Sequence, residues 1–326
     1  MRERIFTQLY LQQGEFVSGE ALSDKLSITR SAVSKHISGL RADGAEIESV
    51  QHKGHRLIKC PNRLRGPYTL PLVSHSDLIS QFFWYDTIAS TNDVLRQKGD
   101  VLDEIAICSC EDQPGGKGRR GRTWQASKHM GIYVSFLLKP QIPTSDAFKI
   151  TILAAIAQVR AIRALTGLSP QIKWPNDVLL SGKKISGTLT ELSADFDGIK
   201  HIVCGVGINV NQTAKDFSGE LASKATSLRV EQGDVIDRLP LFAAFIDAFI
   251  DCYVQFKTEG LSALIKEYGD YSACLGQKVK IFSDTDTISG VVKGFDANGM
   301  LLLDTGQDIK KIMAGEVSLR GENGYV

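Results

Sequence analysis

Apolar residues in the first part of the chain recur at helical spacing. Ile5, Leu9 and Leu11 mark one side of a helix near 2–12, and Ala21, Leu22 and Leu26 mark a second that begins at Ser18. Val33, Ile37 and Leu40 fall at i, i+4 and i+7 and predict a third helix over 30–42, capped by Thr29 and stopped by Gly44. Two short apolar-polar runs follow, 46–50 and 55–58, joined by Gln-His-Lys-Gly. Three helices and a glycine-tipped hairpin read as a winged helix-turn-helix. The polar face of the third helix pairs small hydrogen-bonding groups with cations, which suits a DNA major groove. The DNA-facing set is therefore Ser18 and Thr29 at the helix starts, Arg30, Ser31, Ser34, Lys35 and His36 on the third helix, and Lys53 on the wing. A small helical protein-interaction domain is the alternative. A single such domain reads few bases, so a dimer is expected.

Cys60-Pro-Asn-Arg-Leu-Arg-Gly-Pro reads as a linker. Beyond it the pattern is mixed. Strands are predicted at 82–85, 105–110, 132–138, 171–174, 178–180, 184–192 and 201–209, with helices at 146–165 and 239–256. The turns between the later strands are short, so those strands must be antiparallel neighbours in a meander. On the second helix Phe242, Phe245, Ile246, Phe249 and Tyr253 share one side. From about 275 the chain alternates apolar and polar positions around Val279-Lys-Ile281, Gly290-Val-Val292, Met300–Leu303 and Val317-Ser-Leu319, which predicts a small SH3-like β-barrel. The fold class is thus a multidomain α+β chain with units at 1–65, 66–272 and 273–326.

Composition adds little to this. With 43% hydrophobic and 23% charged residues the chain is an ordinary globular one, and its net charge of +1 means that any basic surface is local. Such a surface exists at the start, where residues 1–65 hold eleven Lys and Arg against seven Asp and Glu. The six cysteines form no Cys-x-x-Cys pair and read as buried free thiols in a reducing, cytoplasmic compartment. No membrane partner is expected: the most apolar helical stretch, 147–165, is interrupted by Lys149, Arg160 and Arg163.

The candidate chemistry sits at 111–124, Glu-Asp-Gln-Pro-Gly-Gly-Lys-Gly-Arg-Arg-Gly-Arg-Thr-Trp. Glycines let backbone amides approach a ligand, and Lys117, Arg119, Arg120 and Arg122 supply charge for a phosphate or carboxylate. An exposed basic turn is the alternative. Gly116 to Gly121 matches G-x-G-x-x-G, but the chain continues into a strand and not the helix that a dinucleotide fingerprint requires. A Walker A loop fails as well, because Gly118 stands where Ser or Thr must follow the lysine.

Gly-Lys-Gly-Arg-Arg-Gly-Arg-Thr-Trp resembles the Gly-Arg-Gly-Arg-Arg-Gly signature of biotin protein ligases. Ser90-Thr91-Asn92, Lys173-Trp-Pro-Asn-Asp177, Lys184 before Ile-Ser-Gly187, and Gly205-Val-Gly-Ile-Asn209 agree with it in order. The three-part layout resembles the bifunctional bacterial form, which is also the biotin operon repressor. Lys117 departs from the pattern, since the family more often has Arg there. The resemblance implies a central domain of the class II synthetase-like type. It also implies that biotin and MgATP form biotinyl-5′-AMP, and that a lysine of a biotin carboxyl carrier protein then takes the biotinyl group. On the matching positions it implies catalytic roles for Lys184 and Arg119. Biotin would be held by Ser90, Thr91, Asn92, Gln113, Gly116, Lys117, Gly118, Arg119, Lys184, Gly187 and Gly205. The nucleotide would be held by Arg119, Arg122, Trp124, Lys173, Asn176, Lys184 and Asn209, with Asp177 as a candidate Mg²⁺ ligand. The adenylate is expected to order the glycine-rich loop, promote a homodimer through the edge 187–192, and so act as co-repressor at the operator DNA of biotin synthesis genes.

Each motif also has a plain structural reading. Ser90-Thr91-Asn92 can be only a helix cap, Lys184 only a solvated hairpin lysine, and Asp177 only turn chemistry. At the level of the whole chain, the alternatives are a monofunctional biotin- or lipoate-type acyl ligase without a repressor role, and a transcription factor that binds a small ligand without turning over ATP.

Overall fold

The computed structural model describes residues 1–12, 14–283, 286–314 and 318–321. The first three helices are α1 (Arg2–Leu11), α2 (Gly19–Leu26) and α3 (Arg30–Ala42), followed by the hairpin β1 (Glu46–Val50) and β2 (Gly54–Lys59). Val33, Ile37 and Leu40 are buried as their spacing predicts, and so are Leu22 and Leu26. Two positions differ from the sequence reading. Leu11 is 58% exposed and Phe6 takes its place in the core, because α1 ends at Leu11 and its packed stripe runs Ile5, Phe6, Leu9. Ala21 faces solvent, one position off the buried Leu22–Leu26 line.

A short helix, α4 (Gly66–Thr69), docks this unit on the rest of the chain. The Tyr68 ring meets Phe6 edge-on at 5.4 Å, and its hydroxyl donates to Asp43 at the end of α3. Arg2 reaches the same carboxylate at 2.8 Å.

The centre is one seven-stranded sheet built from β3 (Gln81–Tyr85), β4 (Ala106–Cys110), β5 (Gly131–Leu138), β6 (Gln171–Lys173), β7 (Asp177–Leu180), β8 (Lys183–Asp195) and β9 (Gly198–Asn209). Its order is β3-β4-β5-β9-β8-β7-β6. Strands β6 to β9 form the expected antiparallel meander. Only β3 and β4 are parallel, joined over α5 (Thr91–Lys98), as a same-direction pair needs a crossover. One face is covered by α6 (Lys149–Thr166) and by α9 (Arg238–Glu259), with the short α7 (Leu221–Lys224) and α8 (Leu228–Gln232) between strand and helix. Phe136 of β5 stacks on Phe249 of α9 at 4.2 Å.

The α9 helix is more apolar than the 147–165 stretch picked out above. By length and composition it is the one described helix that suits a membrane, yet Phe242, Phe245, Ile246, Phe249 and Tyr253 are packed in the core. All six cysteines are free and buried, and burial pushes the Cys108 and Cys252 thiols up to about 12.

One strand edge matters later. Strand β7 pairs with β8 only as far as Gly187, opposite Asp177, and the Thr188 amide then bonds the Asn176 carbonyl. From Leu189 to Asp195 the side of β8 away from β9 carries no strand among the described residues. Gly187 is therefore not part of the open edge expected at 187–192; the edge begins at Leu189.

After α10 (Ser262–Asp270), which the sequence pattern did not single out, comes a five-stranded antiparallel sheet. It consists of β10 (Lys278–Phe282), β11 (Thr287–Phe295), β12 (Leu301–Asp304), β13 (Ile309–Ile312) and β14 (Ser318–Gly321), in the order β13-β12-β11-β10-β14. Strand β13 was missed because Ile-Lys-Lys-Ile is exposed along most of its length. Val317 and residues 322–326 lie outside the described residues.

Candidate functional site

Strand β4 delivers the glycine-rich loop and β5 receives it, so the loop lies across the end of the central sheet. It folds back on itself. Lys117 pairs with Thr123, the Gly118 amide donates to the Arg122 carbonyl at 2.7 Å, and the Trp124 amide donates to the Gly116 carbonyl at 2.8 Å. Beneath it is a cleft open to solvent on one side.

Most of the expected residues meet there. Ser90, Thr91, Asn92 and Gln113 line one side of the cleft, and Lys117, Gly118, Arg119 and Trp124 form its cover. Asn176, Lys184, Gly187 and Gly205 complete it. Thr188, Leu189, Val206 and Gly207 also line the cleft and were not picked out from sequence, since nothing in a Thr-Leu or Val-Gly step marks a ligand wall.

The floor is legible from the pleat. Gly205 and Gly207 are two residues apart on β9 and so share one face. A Cβ on Gly205 would collide with the Asn92 amide, and one on Gly207 would sit 2.5 Å from the Trp124 ring. Both glycines leave room for neighbours that reach across the sheet.

The hydroxyl side is a network. Ser90 caps α5 at the Asp93 amide, so its helix-cap reading holds alongside its place in the cleft. The Gln113 amide oxygen accepts from the Thr91 amide at 2.9 Å and from its hydroxyl at 3.0 Å. The Ser135 hydroxyl lies 2.6 Å from the Asn92 carbonyl oxygen, and Asn92 donates to Glu191 at 2.7 Å. Asn92 therefore spends its polar atoms on the protein and braces the wall.

The cationic side has defined partners. Arg119 donates to the Asn176 side chain at 2.9 Å and to the Ala314 carbonyl of the C-terminal unit at 3.3 Å. Burial draws its guanidinium below the ordinary value, and Asp177 partly opposes this. Lys184 pairs with Asp177 at 2.6 Å and lies over the Trp124 ring at 5.6 Å. Lys173 is buried beside them. Desolvation, reinforced by the charges of Lys184 and Arg320, lowers its ammonium to about 8 against the pull of Asp177.

Several expected residues lie elsewhere. Gly116 shapes the loop backbone behind the cleft, and Arg122 is exposed outside it. Asn209 is buried and donates to the Thr226 carbonyl at 3.1 Å, which ties β9 to the start of α8. Lys117 lines the cleft, but its ammonium is turned to Asp93. Asp177 holds Lys184, and among the described residues no three His, Cys, Asp or Glu side chains gather into a metal site.

On the winged helix, Ser31, Ser34, Lys35 and Lys53 are exposed as expected, and His36 is half-buried. Ser18 and Thr29 cap the Ala21 and Ala32 amides, and Arg30 pairs with Glu20 at 2.7 Å. Those three serve the fold of the motif as well as its outer face.

A winged helix joined to a glycine-floored cleft that Lys184 and Arg119 both line, with Lys173 buried outside that lining, defines a DNA-binding ligase for a small anionic substrate. Comparisons with known proteins agree part by part. Residues 2–56 match a helix-turn-helix domain, 84–209 the biotin/lipoate A/B protein ligase family, and 274–320 the biotin protein ligase C-terminal domain. The chain is 36% identical to the bifunctional ligase/repressor BirA of Bacillus spizizenii, over 96% of this chain and 97% of that one. It is 30% identical to the Escherichia coli bifunctional ligase/repressor BirA, over 95% of each. The solved biotin protein ligase of Aquifex aeolicus in complex with biotin and ATP superposes with a TM-score of 0.67 at 28% identity, covering 75% of this chain and all of that one. The chain belongs to the biotin protein ligase family and is a biotin–protein ligase that carries the DNA-binding domain of the bifunctional ligase/repressors.

Proposed function

We propose that residues 66–272 activate biotin and transfer it, that residues 1–65 read operator DNA, and that residues 273–326 complete the nucleotide side of the cleft. The observation that carries the reading is the convergence of Arg119 and Lys184 on one cleft whose opposite wall is hydroxyl and amide groups. In the first step a biotin carboxylate oxygen attacks the α-phosphorus of ATP and pyrophosphate leaves. Two anions must meet, and fixed cations in a partly dry cleft offset their repulsion without reorganising. Arg119, which donates to Asn176, and Lys184, paired with Asp177, carry charge suited to that task. Thr91 and Gln113 offer donors and acceptors to the ureido group, Leu189 and Val206 offer an apolar wall to the ring system, and Trp124 offers a ring face to the adenine. In the second step the ε-amine of a carrier lysine attacks the adenylate carbonyl and AMP leaves.

Asp177 is the carboxylate the sequence offered for Mg²⁺, but its pairing with Lys184 does not suit a resident ion. The cation enters as MgATP, part of the substrate, as is usual where phosphates supply the ligands.

The repressor state follows from the open edge of β8. A second copy pairing along Leu189–Asp195 would extend the sheet and present two winged helices to two half-sites. Because the cleft shares Leu189 with this edge and Thr188 lies next to it, biotinyl-5′-AMP bound there biases the edge toward pairing and acts as co-repressor.

The deciding experiment supplies labelled biotin, ATP and a carrier domain and follows covalent transfer, with gel shift of the biotin-gene operator in parallel. Absence of transfer by the wild type removes the ligase reading. Transfer without an adenylate-dependent shift leaves a monofunctional enzyme.

A further inference from the structure

The ammonium of Lys117, at the position where the family more often has Arg, lies 2.9 Å from both carboxylate oxygens of Asp93. Asp93 sits in the first turn of α5, two residues beyond Thr91, where a helix N-terminus favours a negative charge. It also receives Arg96 at 2.8 Å. Arg96 in turn lies 3.8 Å from Glu191 of β8, the residue that accepts from Asn92. The cover of the cleft, the helix that carries its hydroxyl wall and the strand behind it are thus joined by one line of charge.

We propose that Lys117 and Asp93 form a clasp that holds the glycine-rich loop closed over bound biotinyl-adenylate, which makes Asp93 a positioning residue for the ligase reaction. The inference rests on the reading that this cleft holds biotin and its adenylate. A loop with four cations and several glycines loses much conformational freedom on closing, and one added tether lowers that loss in the bound state. The pair is partly exposed, with side-chain exposures of 47% for Lys117 and 24% for Asp93, so the tether is modest and sensitive to salt. Its contribution appears as a slower escape of the intermediate and not as a faster chemical step.

The test forms labelled biotinyl-adenylate on the enzyme, adds excess unlabelled biotin and ATP, and follows release of label at low salt. Asp93→Asn and Lys117→Met are each expected to speed release about two- to fivefold, and Asp93→Asn, outside the cleft lining, is expected to raise the KM for biotin with little change in kcat. The double variant is expected to be no faster than the faster single one, because both remove the same contact. Lys117→Arg, which keeps the cation, is expected to stay near the wild-type rate, and high salt is expected to bring wild type and variants together. Lys117 lies in an exposed loop, so its substitution does not threaten folding. Release from Asp93→Asn at the wild-type rate, or a double variant equal to the product of the two singles, overturns the clasp. A wild type that forms no adenylate overturns the underlying ligase reading, and the clasp with it.

Discussion

Arg238, at the start of α9, lies 2.7 Å from Glu111, the first residue of the ligand loop, and their side chains are 0% and 3% exposed. The same guanidinium donates to the Asn62 side chain at 2.6 Å and to the Gly131 carbonyl at 2.6 Å. Glu111 also accepts from the Leu64 amide at 2.7 Å. The linker behind the winged helix and the root of the ligand loop therefore share one buried ion pair. Burial pushes the Glu111 carboxyl up, but the Arg238 charge, the Leu64 amide and His129 outweigh it and leave it below its ordinary 4.5.

Removing one member leaves the other charged and buried. Glu111→Ala and Arg238→Met are each expected to cost about 3–5 kcal/mol in denaturant unfolding, with the double variant well short of the sum. The pH dependence has a fixed sign. A carboxyl lowered by folding stabilises the protein above its ordinary value, so this contribution falls away as pH drops below 4.5 and on through the lower folded value. A Glu111→Ala protein should lose that acid limb, read from unfolding midpoints at a series of pH values.

Lys173 makes a second pH prediction. Its ammonium, lowered to about 8 chiefly by burial, is charged below that value and neutral above it. If it meets phosphate, kcat/KM for ATP should decline as pH rises through about 8, while kcat declines later because bound phosphate favours the charged form. In Lys173→Arg the limb should vanish. A wild-type profile flat from neutral pH to well above 8 removes Lys173 from the nucleotide side.

The glycine floor is testable by a single methyl group. Gly205→Ala drives a Cβ into Asn92, and Gly207→Ala drives one into Trp124. Overpacking of this kind costs about 1–3 kcal/mol of folding stability, read from denaturant unfolding, and because it displaces Asn92 or Trp124, which line the cleft, biotin affinity by calorimetry should also fall. Operator-independent properties such as α3 helicity should be unchanged.

On the DNA side, Lys35→Ala is expected to lower the slope of log K against log salt by about one and to weaken binding to specific and non-specific DNA alike, the signature of a phosphate contact. Adenylate synthesis should match wild type. A loss of binding at one operator position only would move Lys35 from phosphate to base contact.

The open edge of β8 gives the last prediction. Leu192 is 42% exposed on it. Leu192→Lys should weaken adenylate-linked dimerisation about tenfold or more in sedimentation, or about 1.4 kcal/mol, while leaving adenylate formation intact. Equal dimerisation by variant and wild type would place the interface on another surface.

Much of this was legible in the chain. Helical period placed α3 to the residue, because Val33, Ile37 and Leu40 repeat over three turns between a threonine cap and a glycine stop. Short turns gave the antiparallel meander, because two residues leave no room for a crossover. The order of the motifs placed Ser90, Gln113, Arg119 and Lys184 in one site, and the structure brings them to one cleft. Less legible was α1, where ten residues give too few turns to tell Phe6 from Leu11 as the buried position.

What the sequence determined by itself was local: the periods of helix and strand, the caps, the glycines, and which charges exist. Which charge meets which was decided only by tertiary structure. Lys117 looks like a cleft cation until α5 places Asp93 against it. Asp177 looks like a metal ligand until the β7–β8 turn brings Lys184 to it. Glu111 and Arg238 are separated by more than a hundred residues, and no local rule pairs them. The physical reason is that backbone propensity acts over a few residues, whereas the energy of a charge depends on every group and on the water excluded around it.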